Sequence, residues 1–171
     1  MIDFGRTFAS ALVLPCVLEL KGDVGVGKTT FVRGLAAGLG LNEPVTSPSF
    51  TISKRYACQG GELVHYDFYR LDDPGLMSSE LADTLSQPDT LVVIEWGGDV
   101  QDLLPNQTIT LEFSLQDDNS REINISSTTN SPLVQNLWKT CGKMNKSCVQ
   151  NSENCGKLCE KPTKNLQKGQ K

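Results

Sequence analysis

The string Gly22-Asp-Val-Gly-Val-Gly-Lys-Thr29 constrains this chain more than any other feature. It fits the pattern G-x-x-x-x-G-K-[ST], and its surroundings fit too. Cys16-Val-Leu-Glu-Leu20 before it reads as a strand. Thr29 to Leu39 after it reads as a helix, with Val32, Leu35, Ala36 and Leu39 on one face and Gly40 as the stop. A strand, a glycine-rich loop and a helix in that order make a cradle for phosphate. The loop N–H groups converge on phosphate oxygens where a Cβ would block the approach, and the helix adds the positive end of its dipole. On this reading the loop and the start of the helix hold the phosphates of a nucleotide. Lys28 brings charge to the β- and γ-phosphates, the Thr29 hydroxyl joins a Mg²⁺ shell, and Thr30 caps the helix or touches the α-phosphate. A guanine-specific N-K-x-D string does not occur, which favours ATP. The competing reading is a surface glycine turn beside a solvated lysine.

Two carboxylates stand where such a site needs them. Leu91-Val-Val-Ile-Glu95 is a continuous apolar run ended by an acid, the pattern of a buried parallel strand that delivers a carboxylate at its C-terminal edge. Glu95 can therefore reach the Mg²⁺ shell or orient a water; the alternative is a simple strand-end acid. In His65-Tyr-Asp-Phe-Tyr-Arg70 the alternation puts His65, Asp67 and Tyr69 on one face and Tyr66, Phe68 and Arg70 on the other. That polar face could line the site, and the same alternation also suits an amphipathic edge strand. A single histidine excludes a His-rich metal centre, and a lone His is more often a structural hydrogen-bonder than a catalyst.

Around these motifs the periodicities predict a short helix within Met1–Leu14 and strands over Ile52–Cys58 and Glu62–Leu71 joined at Gln59-Gly60-Gly61. They also predict a helix over Leu76–Leu85, a strand over Thr108–Leu115, a partner strand through Ile123 and Ile125, and a last helix over Pro132–Lys139.

Charge divides the chain near Trp138. Residues 1–138 carry 8 Lys/Arg against 18 Asp/Glu, and residues 139–171 carry 8 Lys against 2 Glu. The overall charge of −4 argues against a generic nucleic-acid coat. Residues 1–138 read as one domain. Residues 139–171 are rich in Lys, Asn, Gln and Ser and poor in large aliphatics, so the composition predicts a disordered tail. Its cysteines, Cys141, Cys148, Cys155 and Cys159, lack the spacing of a shared metal site: seven helical residues already advance about 10 Å. The longest apolar runs fall far short of the ~20 residues of a membrane span, and Met1–Ser10 does not read as a signal peptide. The expectation is a cytoplasmic protein.

Taken in order, Gly22-Asp-Val-Gly-Val-Gly-Lys-Thr-Thr-Phe31, Thr46-Ser-Pro-Ser-Phe-Thr51, His65-Tyr-Asp-Phe-Tyr-Arg-Leu71, Ile94-Glu-Trp96 and Leu104-Pro105 form a set. The set resembles the bacterial TsaE (YjeE) family over about Gly5 to Trp138. That family supplies the ATPase subunit of the machinery that makes N6-threonylcarbamoyladenosine at position 37 of certain tRNAs. The resemblance implies an α/β fold, P-loop NTPase-like, with a mostly parallel central sheet, flanking helices and a β-hairpin extension. It implies ATP as substrate and Mg²⁺ as cofactor. Gly25, Val26, Gly27, Lys28, Thr29 and Thr30 would hold the triphosphate, Thr29 and Glu95 would serve as metal ligands, and Lys28, Asp67 and Glu95 would serve in turnover. It further implies a switch-like loop at Ser47–Thr51, Trp96 beside the site, and a nucleotide contact at Ser120. Such proteins hydrolyse ATP weakly alone and act with a TsaD-type transferase subunit and its TsaB paralogue, so that tRNA is met indirectly through the complex.

Two other classes fit the residues alone. A stand-alone kinase for a small metabolite would need an arginine-rich lid, and Arg is scarce here: Arg6, Arg33, Arg55, Arg70 and Arg121. A nucleotide-sensing interaction protein without turnover would leave Asp67 and Glu95 without a task.

Overall fold

The computed structural model describes residues 1–41, 43–69, 71, 75–118 and 120–127, together with the backbone of 155–160. The elements run α1 (Ile2–Ala9), β1 (Cys16–Lys21), α2 (Lys28–Gly38), β2 (Ser53–Cys58), β3 (Gly61–Asp67), α3 (Gly75–Leu85), β4 (Thr90–Glu95), β5 (Ile109–Leu115), β6 (Arg121–Ser127) and β7 (Cys155–Glu160). A 3₁₀ segment, Gly97–Leu103, follows β4. The strands form one sheet in the order β2-β3-β4-β1-β5-β6-β7. Its centre, β3-β4-β1-β5, is parallel, and antiparallel strands flank it on both sides. This is the P-loop NTPase-like α/β arrangement the resemblance implies, with β2 and β3 making the hairpin.

The sequence explains the layering. Every residue of β4 is buried, because its alternate side chains enter two separate cores. Leu91 and Val93 join Leu18, Leu20, Ile109 and Leu111 beneath α1 and α2. Val92 and Ile94 join Val17, Val64 and Tyr66 beneath Leu81 of α3 and Val100 of the 3₁₀ segment. Phe31 of α2 anchors the first core, its ring 5.4 Å from both Phe4 and Phe8 and 5.6 Å from Phe113. Side chains of that size each contribute about 1.5–3 kcal/mol on burial.

Helix α1 lies directly on α2. A Cβ on Gly5 would meet the Phe31 carbonyl oxygen at 2.4 Å, and one on Gly34 would meet that of Ile2 at 2.3 Å. The helix that begins at the phosphate loop is thus backed by another at backbone contact.

Two expectations change. The His65–Arg70 motif is not an edge strand: β3 lies inside the sheet between β2 and β4, with residues 63–67 all buried. Both faces are covered because Leu63 enters the first core while Val64 and Tyr66 enter the second, a matter of strand order that alternation alone does not encode. Within the tail, Cys155–Glu160 forms β7 against β6, where the composition predicts no strand. Ladder hydrogen bonds along the β6 edge supply there what apolar side chains do not. The rest of 139–171, the predicted helix over Pro132–Lys139, and Arg70 lie outside the described residues.

Candidate functional site

Strand β1 ends at Lys21, and the chain turns through Gly22 (φ +129°), Gly25 (φ +84°) and Gly27 (φ +111°) into α2. At Gly22 only glycine fits on two counts: the positive φ, and a Phe113 carbonyl oxygen 2.3 Å from where a Cβ would stand. Helix α2 starts at Lys28, so its first N–H groups face the loop. A cleft of about 290 Å³ opens there. Gly25, Gly27, Lys28, Thr29 and Thr30 line one wall, with Val24. Asp67 and Glu95, together with Ser47 and Ser49, line another; Tyr69 and Trp96 complete it.

The carboxylates owe their places to the ladder. Asp67 and Glu95 are register partners at the C-terminal ends of the parallel strands β3 and β4, so one strand spacing sets their separation. The β1–β4 pairing sets Leu20 opposite Glu95, which brings the phosphate loop to the same edge.

Thr29 Oγ1 donates to Glu95 Oε1 at 3.2 Å, and His65 Nε2 lies 3.0 Å from the same oxygen. Lys28 Nζ donates to the carbonyls of Gly22 (2.7 Å) and Asp23 (2.9 Å) and stands 4.0 Å from Glu95 Oε2. It also lies 4.6 Å from the centroid of the Trp96 ring. Burial pushes the Lys28 ammonium below the ordinary lysine value, while the negative charges of Glu95, Asp67 and Asp23 oppose that shift. Asp67 Oδ2 accepts hydrogen bonds from Ser47 Oγ (2.9 Å) and from Ser49 Oγ, and Asp67 Oδ1 accepts from the Tyr69 N–H at 3.2 Å. The loop through Ser47 and Ser49 is therefore read directly by Asp67.

Most of the residues singled out from sequence meet here. Val26 does not line the cleft: its side chain enters the first core, and its carbonyl accepts from Arg121 Nε at 3.0 Å. Ser120 does not line the cleft. It is a buried turn residue whose N–H donates to Asp118 Oδ1 and whose carbonyl accepts from the Gln116 N–H. Of the polar face that the alternation assigned to His65, Asp67 and Tyr69, the structure brings Asp67 and Tyr69 to the cleft and leaves His65 out of its wall. The sequence gives no local signal for Arg121 as a brace for the loop. Trp96 adopts a left-handed backbone, φ +60°, unusual for a side chain of that size. The turn aims the indole at Lys28 and at Tyr69, whose ring centroid is 4.8 Å away.

The donor set suits magnesium. Hydroxyl and carboxylate oxygens are hard ligands, and Thr29 and Glu95 already touch. The backbone around Gly25 is bare, with nothing within 4 Å of where a Cβ would stand, and that leaves room for phosphate oxygens.

Similarity to known proteins agrees with this geometry. The family model for "Threonylcarbamoyl adenosine biosynthesis protein TsaE" matches residues 1–123. The tRNA threonylcarbamoyladenosine biosynthesis protein TsaE of Haemophilus influenzae is 33% identical over 135 residues, covering 76% of this chain and 85% of that protein. Its counterpart in Bacillus subtilis is 36% identical over 115 residues, covering 67% and 71%. Among solved structures, the crystal structure of YdiB from Bacillus subtilis superposes with a TM-score of 0.64 at 28% identity, over 84% of this chain and 88% of that one. With the family's motifs brought to one sheet edge around a phosphate loop, the chain belongs to the TsaE family.

Proposed function

We propose that this protein binds ATP with Mg²⁺ and hydrolyses it, as the auxiliary ATPase subunit in tRNA threonylcarbamoyladenosine formation. The observation that carries the reading is the convergence of Lys28, Thr29, Asp67 and Glu95 on one cleft at the start of α2. The TsaE relatives are named for the same biosynthesis, which supports the assignment of the pathway.

Thr29 and Glu95 are the residues that would hold magnesium, which when bound neutralises charge on the triphosphate. The N–H groups from Gly25 to Thr30 grip the phosphates. Lys28 exchanges the carbonyls of Gly22 and Asp23 for phosphate oxygens, a move of the tip of one flexible side chain. Asp67 orients the attacking water or the loop at Ser47–Ser49, to which it is bonded through both hydroxyls. The partners in this reading are a TsaD-type transferase and its TsaB paralogue, with tRNA reached through them in the cytoplasm. No helix among the described residues is long and apolar enough to cross a membrane.

Phosphate release measured with and without the two partner proteins tests the reading. Weak release alone and faster release with both partners is expected. Turnover that requires only a small-molecule acceptor would make the protein a kinase, and binding without any release would make it a sensor.

A further inference from the structure

His65 is the chain's one histidine and is wholly buried on β3. Its Nε2 lies 3.0 Å from Glu95 Oε1, and its Nδ1 has no hydrogen-bond partner among the described residues. A carboxylate oxygen only accepts, so the contact requires the ring proton on Nε2. Nδ1 then presents a bare lone pair, a smaller loss than a buried N–H without an acceptor. The ring's hydrogen bonding is thus committed to Glu95.

That commitment is directional. Thr29 Oγ1 and His65 Nε2 both converge on Oε1, whereas Oε2 faces the Lys28 ammonium at 4.0 Å. Rotation of the carboxylate would break both bonds to Oε1. His65 sits two residues before Asp67 on the same strand face, behind Glu95 as seen from the phosphate loop, and has no place in the wall of the cleft.

We propose that His65 is a positioning residue: its Nε2–H holds Glu95 Oε1 so that Oε2 stays presented to a magnesium–nucleotide complex. This rests on the ATPase reading above. Groups that hydrogen-bond a metal-binding side chain from behind commonly set metal affinity by about ten- to a hundredfold. A buried histidine kept only for packing would have no such effect.

The test compares full-length wild type with His65→Leu, His65→Asn and His65→Gln. The amide nitrogen of Gln reaches where Nε2 stands, that of Asn falls short, and Leu has no donor. Mn²⁺ binding in the presence of a non-hydrolysable ATP analogue is read by electron paramagnetic resonance, beside metal-free analogue binding and thermal melting. We expect His65→Leu and His65→Asn to weaken Mn²⁺ binding about tenfold or more with metal-free nucleotide binding unchanged, and His65→Gln to restore most of it. In a Glu95→Gln background the Leu change should add little, since its target is gone. Wild-type Mn²⁺ affinity in His65→Leu or His65→Asn would overturn the proposal, as would a Gln variant as impaired as the other two. Lack of any nucleotide-dependent Mn²⁺ site in the wild type would overturn the ATPase reading itself.

Discussion

The Thr29 hydroxyl donates to Glu95 across 3.2 Å, joining residues 66 positions apart in the chain. One belongs to the first turn of α2 and the other is the last residue of β4. The hydrogen bond ties the glycine-rich loop and the start of α2 to the sheet edge that carries both carboxylates.

Lys28 separates stability from activity. Burial disfavours its charged form, and its ammonium is satisfied by two loop carbonyls rather than by the core. Lys28→Met should lower ATP turnover at least about a hundredfold. Its melting temperature should equal or exceed that of the wild type, since a desolvated charge is removed. Turnover near the wild-type rate in a folded Lys28→Met protein would sink the phosphate-loop assignment.

Glu95→Gln and Asp67→Asn keep the shape of each side chain and remove its charge. Each should lower single-turnover hydrolysis by about ten- to a thousandfold while nucleotide affinity changes only a few-fold. Rapid-quench measurement beside equilibrium binding of a fluorescent ATP analogue distinguishes the two effects. A variant with unaltered single-turnover hydrolysis has lost its proposed role.

Gly34→Ala should cost about 1–3 kcal/mol of unfolding free energy even though alanine is the better helix former. Its Cβ would meet the Ile2 carbonyl oxygen at 2.3 Å, and backbone cannot step aside. Gly98→Ala is the control: nothing lies within 4 Å of the added carbon, and the change should be neutral within about 0.5 kcal/mol. Urea denaturation of both variants decides, and a neutral Gly34→Ala would mean that α1 and α2 pack less closely than described.

Alkaline stability should carry the signature of Cys16. Burial pushes its thiol up to about 12 from an ordinary 9.0. Below about pH 9 the thiol is protonated in both states and stability is unaffected. Above that the unfolded chain loses the proton first, so stability falls, by up to about 1.4 kcal/mol per pH unit, until the folded thiol also ionises. Cys16→Val should show a shallower decline over this range in urea titrations at stepped pH. Identical slopes for the two proteins would contradict the burial of the thiol.

The site was legible in the sequence wherever its signal was local. The phosphate loop is a fixed spacing, Glu95 ends an uninterrupted apolar run, and the alternation around Asp67 names the right face. What escaped depends on which strands become neighbours. Nothing between Glu62 and Leu71 says that β3 will lie beside β4, and only that pairing buries both faces of the strand and sets His65 and Asp67 against Glu95. Arg121 escaped because its partner is a backbone carbonyl 95 residues away. Strand β7 escaped because its stabilising contacts are backbone hydrogen bonds to β6, which leave no mark on composition.

The Met1 side chain packs against the phosphate loop, its Cγ and Cε 3.4 Å from where a side chain on Gly27 would begin. Met1 is the N-cap residue of α1 and Gly27 that of α2, so the two helices meet at their starting ends, and any loosening of α1 would be felt where α2 leaves the loop.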